Sequence, residues 1–245
     1  MKFLGVDTSS GDASVAIVEN GRVLIEKCHS PVDSGSSSAA GLRNHHAEIL
    51  IPLIESSLRA TAISLSDISG FGVAIGPGSF TGLRIGLSTV KGLAYASGNL
   101  VVGISTLHAF AARVKDLNGV ICTILDARKK EVYAATFRSG VGTLNRLSDD
   151  AVMPIDELVD ILHGFSVAES IFVTGTGIIP YGEVLAKSLG NRVQIYDDKV
   201  LPTLAATVAL LGEARLAQGA DSISAFLTPQ YLRSPQAEVN AQKIA

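Results

Sequence analysis

The sequence predicts an α/β fold made of two related lobes, each a mixed sheet with flanking helices. The predicted elements run strand, strand, strand, helix, strand, helix, and a similar order begins again near Leu100. The 245 residues suit one large domain or two small ones. Hydrophobic residues make up 47% and charged residues 18%, which excludes a disordered or fibrous chain. We expect an N-terminal lobe of residues 1–100 plus about 203–218, a C-terminal lobe of residues 101–202 and a tail of residues 219–245.

The N-terminal lobe begins with three predicted strands, Phe3–Asp7, Ala13–Glu19 and Arg22–Cys28. Asn20-Gly21 joins the last two and is typical of a tight hairpin turn, because both central residues must tolerate positive φ. The segment Pro31–Gly41 is rich in Ser, Gly and Ala, so we expect a loop there. The remaining predicted elements are helices over about Arg43–Arg59 and Thr81–Ser97 and a strand over Phe71–Ile75.

The C-terminal lobe begins with a predicted strand pair, Val120–Leu125 and Glu131–Phe137. Helical and strand patterns continue to about Tyr196. An apolar helix over Thr203–Gln218 follows, and the tail includes the string Pro229–Arg233.

Composition and charge exclude several functional classes. The net charge of −3 gives no basic surface on which this chain alone would bind nucleic acid. Asp7 interrupts the apolar stretch that a signal peptide needs. Residues 92–112 carry no Asp, Glu, Lys or Arg, but Gly98-Asn99 divides them, so we expect no membrane span. Two cysteines form neither a disulfide framework nor a four-ligand zinc site, which favours a cytoplasmic protein.

The two predicted helices of the first lobe have more apolar surface than one core uses. On a wheel at about 100° per residue, the apolar side chains of Arg43–Arg59 cover roughly 200°, whereas packing on one core needs about 100°. On Thr81–Ser97, Gly and Ala form a flat side away from the bulky face. Such small residues let another backbone approach, either this chain's own or a partner's. The residues expected at a partner surface are His46, Ile49, Leu50, Leu53, Gly82, Ile85, Gly86, Thr89 and Gly92.

The glycine-rich run Gly76–Gly82 lacks the features of two catalytic motifs. It has no Gly-Lys-Ser/Thr ending, so it is not a phosphate-binding loop of the Walker type. Ser79 lacks the glycines two residues before and after it that a hydrolase nucleophile needs. We therefore expect the run to turn the chain from a strand into a helix, and we assign Ser79 no catalytic role. The five histidines show no metal-ligand spacing.

Two acids end predicted strands, Asp7 before Thr8-Ser9 and Asp126 before Ala127-Arg128. Two interpretations stay open at this point. Acids beside small polar residues could hold a magnesium-bound phosphate. They could equally accept hydrogen bonds from backbone amides in the turns.

Several strings in the sequence resemble known families. Leu4–Ser10 with its hairpin resembles the first phosphate segment of the sugar kinase, Hsp70 and actin superfamily. The run Gly76–Gly86 is more specific. With Gly103–Leu107, Leu125–Tyr133 and Pro229–Arg233, it is similar to the TsaB/YeaZ family of bacterial tRNA threonylcarbamoyladenosine biosynthesis proteins, which is grouped with M22 glycoprotease homologues.

This resemblance implies a two-lobed actin-like fold and a supporting role. TsaD, a paralogue, transfers threonylcarbamoyl to the adenosine 3′ of certain tRNA anticodons. The family pairs with TsaD through the two helices described above, the ATPase TsaE joins the pair, and members without TsaD self-associate through the same surface. Contact with tRNA is then expected only through the complex, and none with DNA or membrane. The resemblance implies no cofactor held by this chain alone, and it allows ATP or ADP at the surface shared within the complex.

The same comparison implies a non-catalytic subunit. TsaD has two metal-ligand histidines four residues apart, and the matching positions here are Thr106 and Phe110, which are poor ligands. Asp126-Ala127-Arg128 lacks paired glycines, and Gly175-Thr176-Gly177 is a weak match to an adenosine loop. The alternative is a stand-alone M22-type peptidase or a nucleotide-dependent phosphotransferase.

Overall fold

The computed structural model describes residues 1–30, 46–140, 142–196, 202–219 and 227–233. The chain divides into two compact units, Met1–Ala109 with Pro202–Gln230 and Phe110–Leu201 with Tyr231–Ala245. The unit boundary therefore follows Ala109 and not residue 100 as predicted. The physical reason is that the strand Leu100–Ser105 pairs with Gly70–Gly76 in the first sheet.

The first unit contains a five-stranded mixed sheet. Its strands are β1 (Lys2–Asp7), β2 (Ala13–Glu19), β3 (Arg22–His29), β4 (Gly70–Gly76) and β5 (Leu100–Ser105). They lie in the order β3-β2-β1-β4-β5, with the first three antiparallel and β1, β4 and β5 parallel. Asn20 and Gly21 have φ of 50° and 76°, which confirms the predicted hairpin turn.

Helices pack on both faces of this sheet. They are α1 (His46–Ala60), α2 (Phe80–Ser97) and α6 (Leu204–Ala217), while α3 (Thr106–Arg113) follows β5 in the chain. α1 and α2 cover the side chains of Leu4, Val6 and Phe71 on one face. α6 packs on β1 and β4, where a Cβ on Gly5 would lie 2.2 Å from the carbonyl oxygen of Ala205. Glycine in β1 thus lets the α6 backbone touch the sheet.

The second unit contains a six-stranded mixed sheet. Its strands are β6 (Gly119–Asp126), β7 (Glu131–Gly140), β8 (Thr143–Arg146), β9 (Ala151–Pro154), β10 (Ile171–Thr174) and β11 (Val193–Ile195). The order is β11-β10-β6-β7-β8, and β9 also pairs with β7. The helices α4 (Ile155–His163) and α5 (Ile178–Leu189) contribute Leu158, Leu162 and Leu185 to its core.

The predicted elements agree with the structure to within a few residues, and the first helix is described only from His46. The predicted loop Pro31–Gly41 lies outside the described residues, as does most of the tail. Among the residues described, no helix is both long enough and apolar enough to cross a membrane.

Candidate functional site

α2 begins at Phe80, within the glycine-rich run Gly76–Gly82 that the sequence singles out. The Ser79 hydroxyl accepts a hydrogen bond from the backbone amide of Gly82 at 3.2 Å, so Ser79 caps the helix. The Ser79 amide donates to the carbonyl oxygen of Ser9 at 2.7 Å. Gly98, in the left-handed conformation at φ 70°, ends the helix. The run thus turns the chain from β4 into α2, as predicted, and the Ser79 amide also joins the start of α2 to the β1–β2 loop.

Gly82 and Gly86 serve this chain's own packing and face the β1–β2 loop. A Cβ on Gly82 would lie 2.0 Å from the carbonyl oxygen of Thr8, and one on Gly86 would lie 2.3 Å from its Oγ1. The Thr8 hydroxyl donates to the carbonyl oxygen of Gly82 at 2.7 Å. The prediction that these two glycines lie at a partner surface is therefore corrected, because the Thr8 backbone fills the space beside Gly82 and the Thr8 side chain fills the space beside Gly86.

His46 and Leu50 are also buried by their own chain. Leu50 is fully buried in the core under α1, and His46 is 2% exposed. The Nε2 of His46 lies 3.0 Å from the carbonyl oxygen of Gly11, so this nitrogen carries the donated hydrogen. Both residues were predicted at the partner surface. The correction has a simple reason: they lie on the side of α1 that contacts the sheet.

The opposite side of α2 is open. Ile85, Thr89, Gly92 and Ala96 lie on it at spacings of four, three and four residues, and they are exposed or half-buried. No heavy atom of the described residues comes within 4 Å of a Cβ built on Gly92. Beside them, the ring of Tyr95 is 92% exposed. This spacing is the one that packs a helix against another helix.

α1 adds apolar residues beside this stripe, since the two helices contact each other. Ile51 is 41% exposed, Ala47 and Pro52 are exposed, and Ile49 and Leu53 are half-buried. Part of the apolar arc predicted from the sequence, namely Ala47, Ile49 and Ile51, is thus left exposed or half-buried among the described residues, while Leu53 also packs on the core. We call the surface formed by the following residues the α1–α2 face: Ala47, Ile49, Ile51, Pro52, Leu53, Ile85, Thr89, Gly92, Tyr95 and Ala96.

A buried polar cluster lies behind α2, at the end of β1. Asp7 is 4% exposed, and its Oδ1 accepts a hydrogen bond from the Ser9 amide at 2.9 Å. Burial raises the pKa of Asp7, although the hydrogen bond from the Ser9 amide and the charge of His46 act in the opposite direction. The Ser9 Oγ and the His46 Nδ1 are buried, and neither has a hydrogen-bond partner among the described residues.

Asp126, at the end of β6, has the same local geometry as Asp7. Its Oδ1 accepts from the Arg128 amide at 2.8 Å, and the Tyr181 hydroxyl lies 3.4 Å away. Burial raises the pKa of Tyr181, and the charge of Asp126 and the hydrogen bond to it raise this pKa further. Both acids thus accept a hydrogen bond from a backbone amide of the turn that follows the strand, as one of the two interpretations expects.

The positions matched to the TsaD histidines are buried. Thr106 is fully buried and Phe110 is 4% exposed. Among the residues that the structure describes, no group of three or more His, Cys, Asp or Glu could hold a metal ion. Gly175, with φ 99°, and Gly177 pack on the backbone of Ile124.

Comparisons with known proteins agree on one family. The model of the family described as TsaD, tRNA N6-adenosine threonylcarbamoyltransferase, matches residues 40–241. The Bacillus subtilis tRNA threonylcarbamoyladenosine biosynthesis protein TsaB is 25% identical over 97% of this chain and 96% of its own. The solved structure of YeaZ from Pseudomonas aeruginosa has a TM-score of 0.75 and 27% identity, covering 94% of this chain and 99% of its own.

A more distant structure supports the fold class alone. The ethanolamine utilization protein EutJ from Carboxydothermus hydrogenoformans has a TM-score of 0.52 at 15% identity, covering 86% of this chain and 90% of its own. With two mixed sheets and flanking helices, the predicted actin-like fold class is confirmed.

Four of the residues predicted at a partner surface are buried, and five residues of the α1–α2 face were not among those predicted: Ala47, Ile51, Pro52, Tyr95 and Ala96. Tyr95 follows the buried Ala94, and a step of about 100° from a buried position carries a side chain away from the core. That signal was present in the sequence. The burial of the four misassigned residues depends on neighbours that are distant in the sequence: His46, Leu50, Gly82 and Gly86.

Proposed function

The chain belongs to the TsaB/YeaZ family, and from this membership we propose that it acts in the synthesis of threonylcarbamoyladenosine in tRNA as a non-catalytic subunit. Its α1–α2 face docks on a TsaD-type threonylcarbamoyltransferase and holds that enzyme in an active arrangement. A TsaE-type ATPase joins the pair, and a second copy of this chain takes the same face when the transferase is absent. Any ATP or ADP is held at the surface shared within the complex.

The single observation that carries the docking proposal is Gly92. It lies inside an 18-residue helix, where glycine is less favourable than alanine by roughly 0.5–1 kcal/mol. A Cβ there would meet none of the described residues, so the described part of the chain gives no packing reason for glycine. A partner helix whose backbone comes close at this point would give one.

The neighbours of Gly92 support a helical partner. Ile85, Thr89 and Ala96 continue its stripe at the spacing by which side chains of one helix fit between those of another. The transferase family model matches most of this chain. A transferase of the same fold would present helices equivalent to α1 and α2, so the two pairs could form a bundle.

The non-catalytic role rests on chemistry at the matched positions. Thr106 and Phe110 stand where the transferase has metal-ligand histidines, and both side chains are buried. A phenyl ring has no donor atom, and a hydroxyl is a poor ligand for transition metals. We therefore expect the transferase active site on the partner.

The test is a single substitution on the open face. Gly92→Arg should abolish the one-to-one complex with the cognate transferase in size-exclusion chromatography with light scattering, because a buried unpaired charge costs several kcal/mol. Ala186→Arg is the matched control, since it adds the same side chain at an exposed position of α5. Complex formation should be lost only in the first variant, and reconstituted tRNA modification should fall with it.

Fold damage must be separated from lost docking. Gly92→Arg has no neighbour to displace among the described residues, so its melting temperature should stay near that of the wild type. A Gly92→Arg variant that still forms the complex would refute the docking surface. An isolated chain that transfers threonylcarbamoyl unaided would refute the non-catalytic role.

A further inference from the structure

The turn between β6 and β7 places three cations side by side in an unfavourable backbone conformation. Arg128, Lys129 and Lys130 are all exposed, and the Arg128 side chain is 86% exposed. Their φ angles are 64°, 56° and 62°. The backbone of a residue other than glycine rarely adopts this left-handed conformation, and three such residues in a row are unusual.

The chain itself shows the favourable alternative. The β2–β3 hairpin turns through Asn20 and Gly21, whose φ angles are 50° and 76°. Lys129 and Lys130 occupy the corresponding central positions of the β6–β7 turn, because the Glu131 amide donates to the Arg128 carbonyl at 3.0 Å. A turn of this type strongly prefers Asn-Gly. The two lysines are therefore not explained by the requirements of the turn.

The surrounding contacts hold the turn in this conformation. Asp126 Oδ1 accepts from the Arg128 amide at 2.8 Å, and the Ala127 amide donates to the Glu131 carbonyl at 3.0 Å. The Lys130 carbonyl accepts from the Ile155 amide at 3.2 Å. Backbone strain that is held in this way is found at binding sites.

The local charge is positive although the whole chain is acidic. Asp126 forms an ion pair with Arg128 at 3.3 Å, and Arg233 forms one with Glu131. Around the turn, four cations thus face two carboxylates. Within the described residues, no ion pair is formed by Lys129 or Lys130. Two ammonium groups are left for an external anion.

We propose that the Arg128–Lys130 turn contacts the phosphate backbone of the tRNA substrate within the complex. This assignment rests on the proposed function, which brings tRNA to the complex. Lysine binds phosphate as a compact point charge and reads no sequence, so the turn would position the tRNA and would not select it. A net charge of −3 agrees with a contact that adds to binding by the complex without supporting binding by this chain alone.

The test uses Lys129→Asn with Lys130→Gly, which installs the preferred turn and removes both charges. Relief of the strained backbone should raise the melting temperature of the chain by about 2–4 °C. Removal of two phosphate contacts should weaken binding of a tRNA transcript to the full complex about tenfold at low salt. It should also make the slope of log affinity against log salt less negative by about 1.8. A purely structural turn predicts the first effect without the others.

The control is Lys115→Asn with Lys187→Gln, which removes two exposed lysines elsewhere in the second unit. It should leave the tRNA affinity and the salt slope unchanged. A turn variant with wild-type tRNA affinity and slope overturns the assignment. So does a variant that keeps tRNA but loses the ATPase or the transferase, because the turn would then bind protein carboxylates. If the wild-type chain forms no complex, the proposed function itself fails, which is a different result.

Discussion

Gly86 and Gly92 give opposite predictions from the same substitution. Both lie inside α2, and alanine is the better helix former at each. At Gly86 the new Cβ would lie 2.3 Å from the Thr8 Oγ1, whereas at Gly92 it would meet none of the described residues. Replacing each with alanine therefore separates intramolecular packing from helix propensity.

The magnitudes follow from these surroundings. Gly92→Ala should stabilise the isolated chain by about 0.5–1 kcal/mol, which corresponds to roughly 1–4 °C in melting temperature at this length. Gly86→Ala must displace the buried Thr8 hydroxyl, which donates to the Gly82 carbonyl at 2.7 Å. Overpacking and the lost hydrogen bond should outweigh the helix gain by about 1–3 kcal/mol, or roughly 2–12 °C.

The assay is thermal unfolding of the two variants followed by circular dichroism, paired with titration of the transferase into each. We expect Gly92→Ala to melt higher than the wild type and yet to bind the transferase more weakly, because the added methyl group would enter the space assigned to the partner helix in the proposed complex. Gly92→Leu should bind more weakly still. A Gly92→Leu variant that binds as the wild type does, or a Gly92→Ala variant that melts lower, would refute this reasoning.

Three other predictions concern buried groups. Burial raises the pKa of Asp7 above its ordinary 3.8, so the native state holds this proton more tightly than the unfolded chain, and stability falls as pH rises through that window. In urea titrations, Asp7→Asn should thus have a higher free energy of unfolding than the wild type at neutral pH, and this difference should shrink below pH 3.8. A difference that does not change with pH would contradict the prediction. The Glu213 carboxylate accepts hydrogen bonds from the Asn20 and Gly21 amides at 2.9 and 2.8 Å. Glu213→Ala should therefore lower the free energy of unfolding in urea by about 2–3 kcal/mol and speed hydrogen exchange at both amides. Glu213→Gln keeps one acceptor and should lower it less. Because burial raises the pKa of Cys122 to about 12, native alkylation at pH 8 should label only the exposed Cys28, and labelling of both without denaturant would contradict the burial.

Most of the fold follows from local sequence signals. Asn20-Gly21 specifies its turn through backbone preference alone, and the apolar periodicity of α1 and α2 reports which side of each helix is covered. The unit boundary does not follow from such signals. β5 looks like the first strand of a new lobe, and only its parallel pairing with β4 assigns it to the first unit.

The candidate site could be predicted only in part, because a helical wheel gives direction and not neighbours. Gly82, Gly86 and Gly92 all lie off the bulky face of α2. What distinguishes them is Thr8, which lies 74 residues before Gly82 in the sequence and packs on the first two glycines alone. The strained Arg128–Lys130 turn was hidden for a related reason, since its sequence contains no residue that favours positive φ.

One packing contact links two features of this chain, the β1–β2 loop that resembles a phosphate-binding segment and the exposed α1–α2 face. In this chain the loop is packed against α2, because Gly82 and Gly86 lie on Thr8 and the Ser79 amide donates to the Ser9 carbonyl. Groups that could hold a phosphate are thus used to fix the start of a helix. Since α2 is fixed at its first turns, its far half projects Gly92 and Ala96 from a rigid base. A preorganised surface of this kind lowers the entropic cost of docking, which supports the docking role proposed for the α1–α2 face.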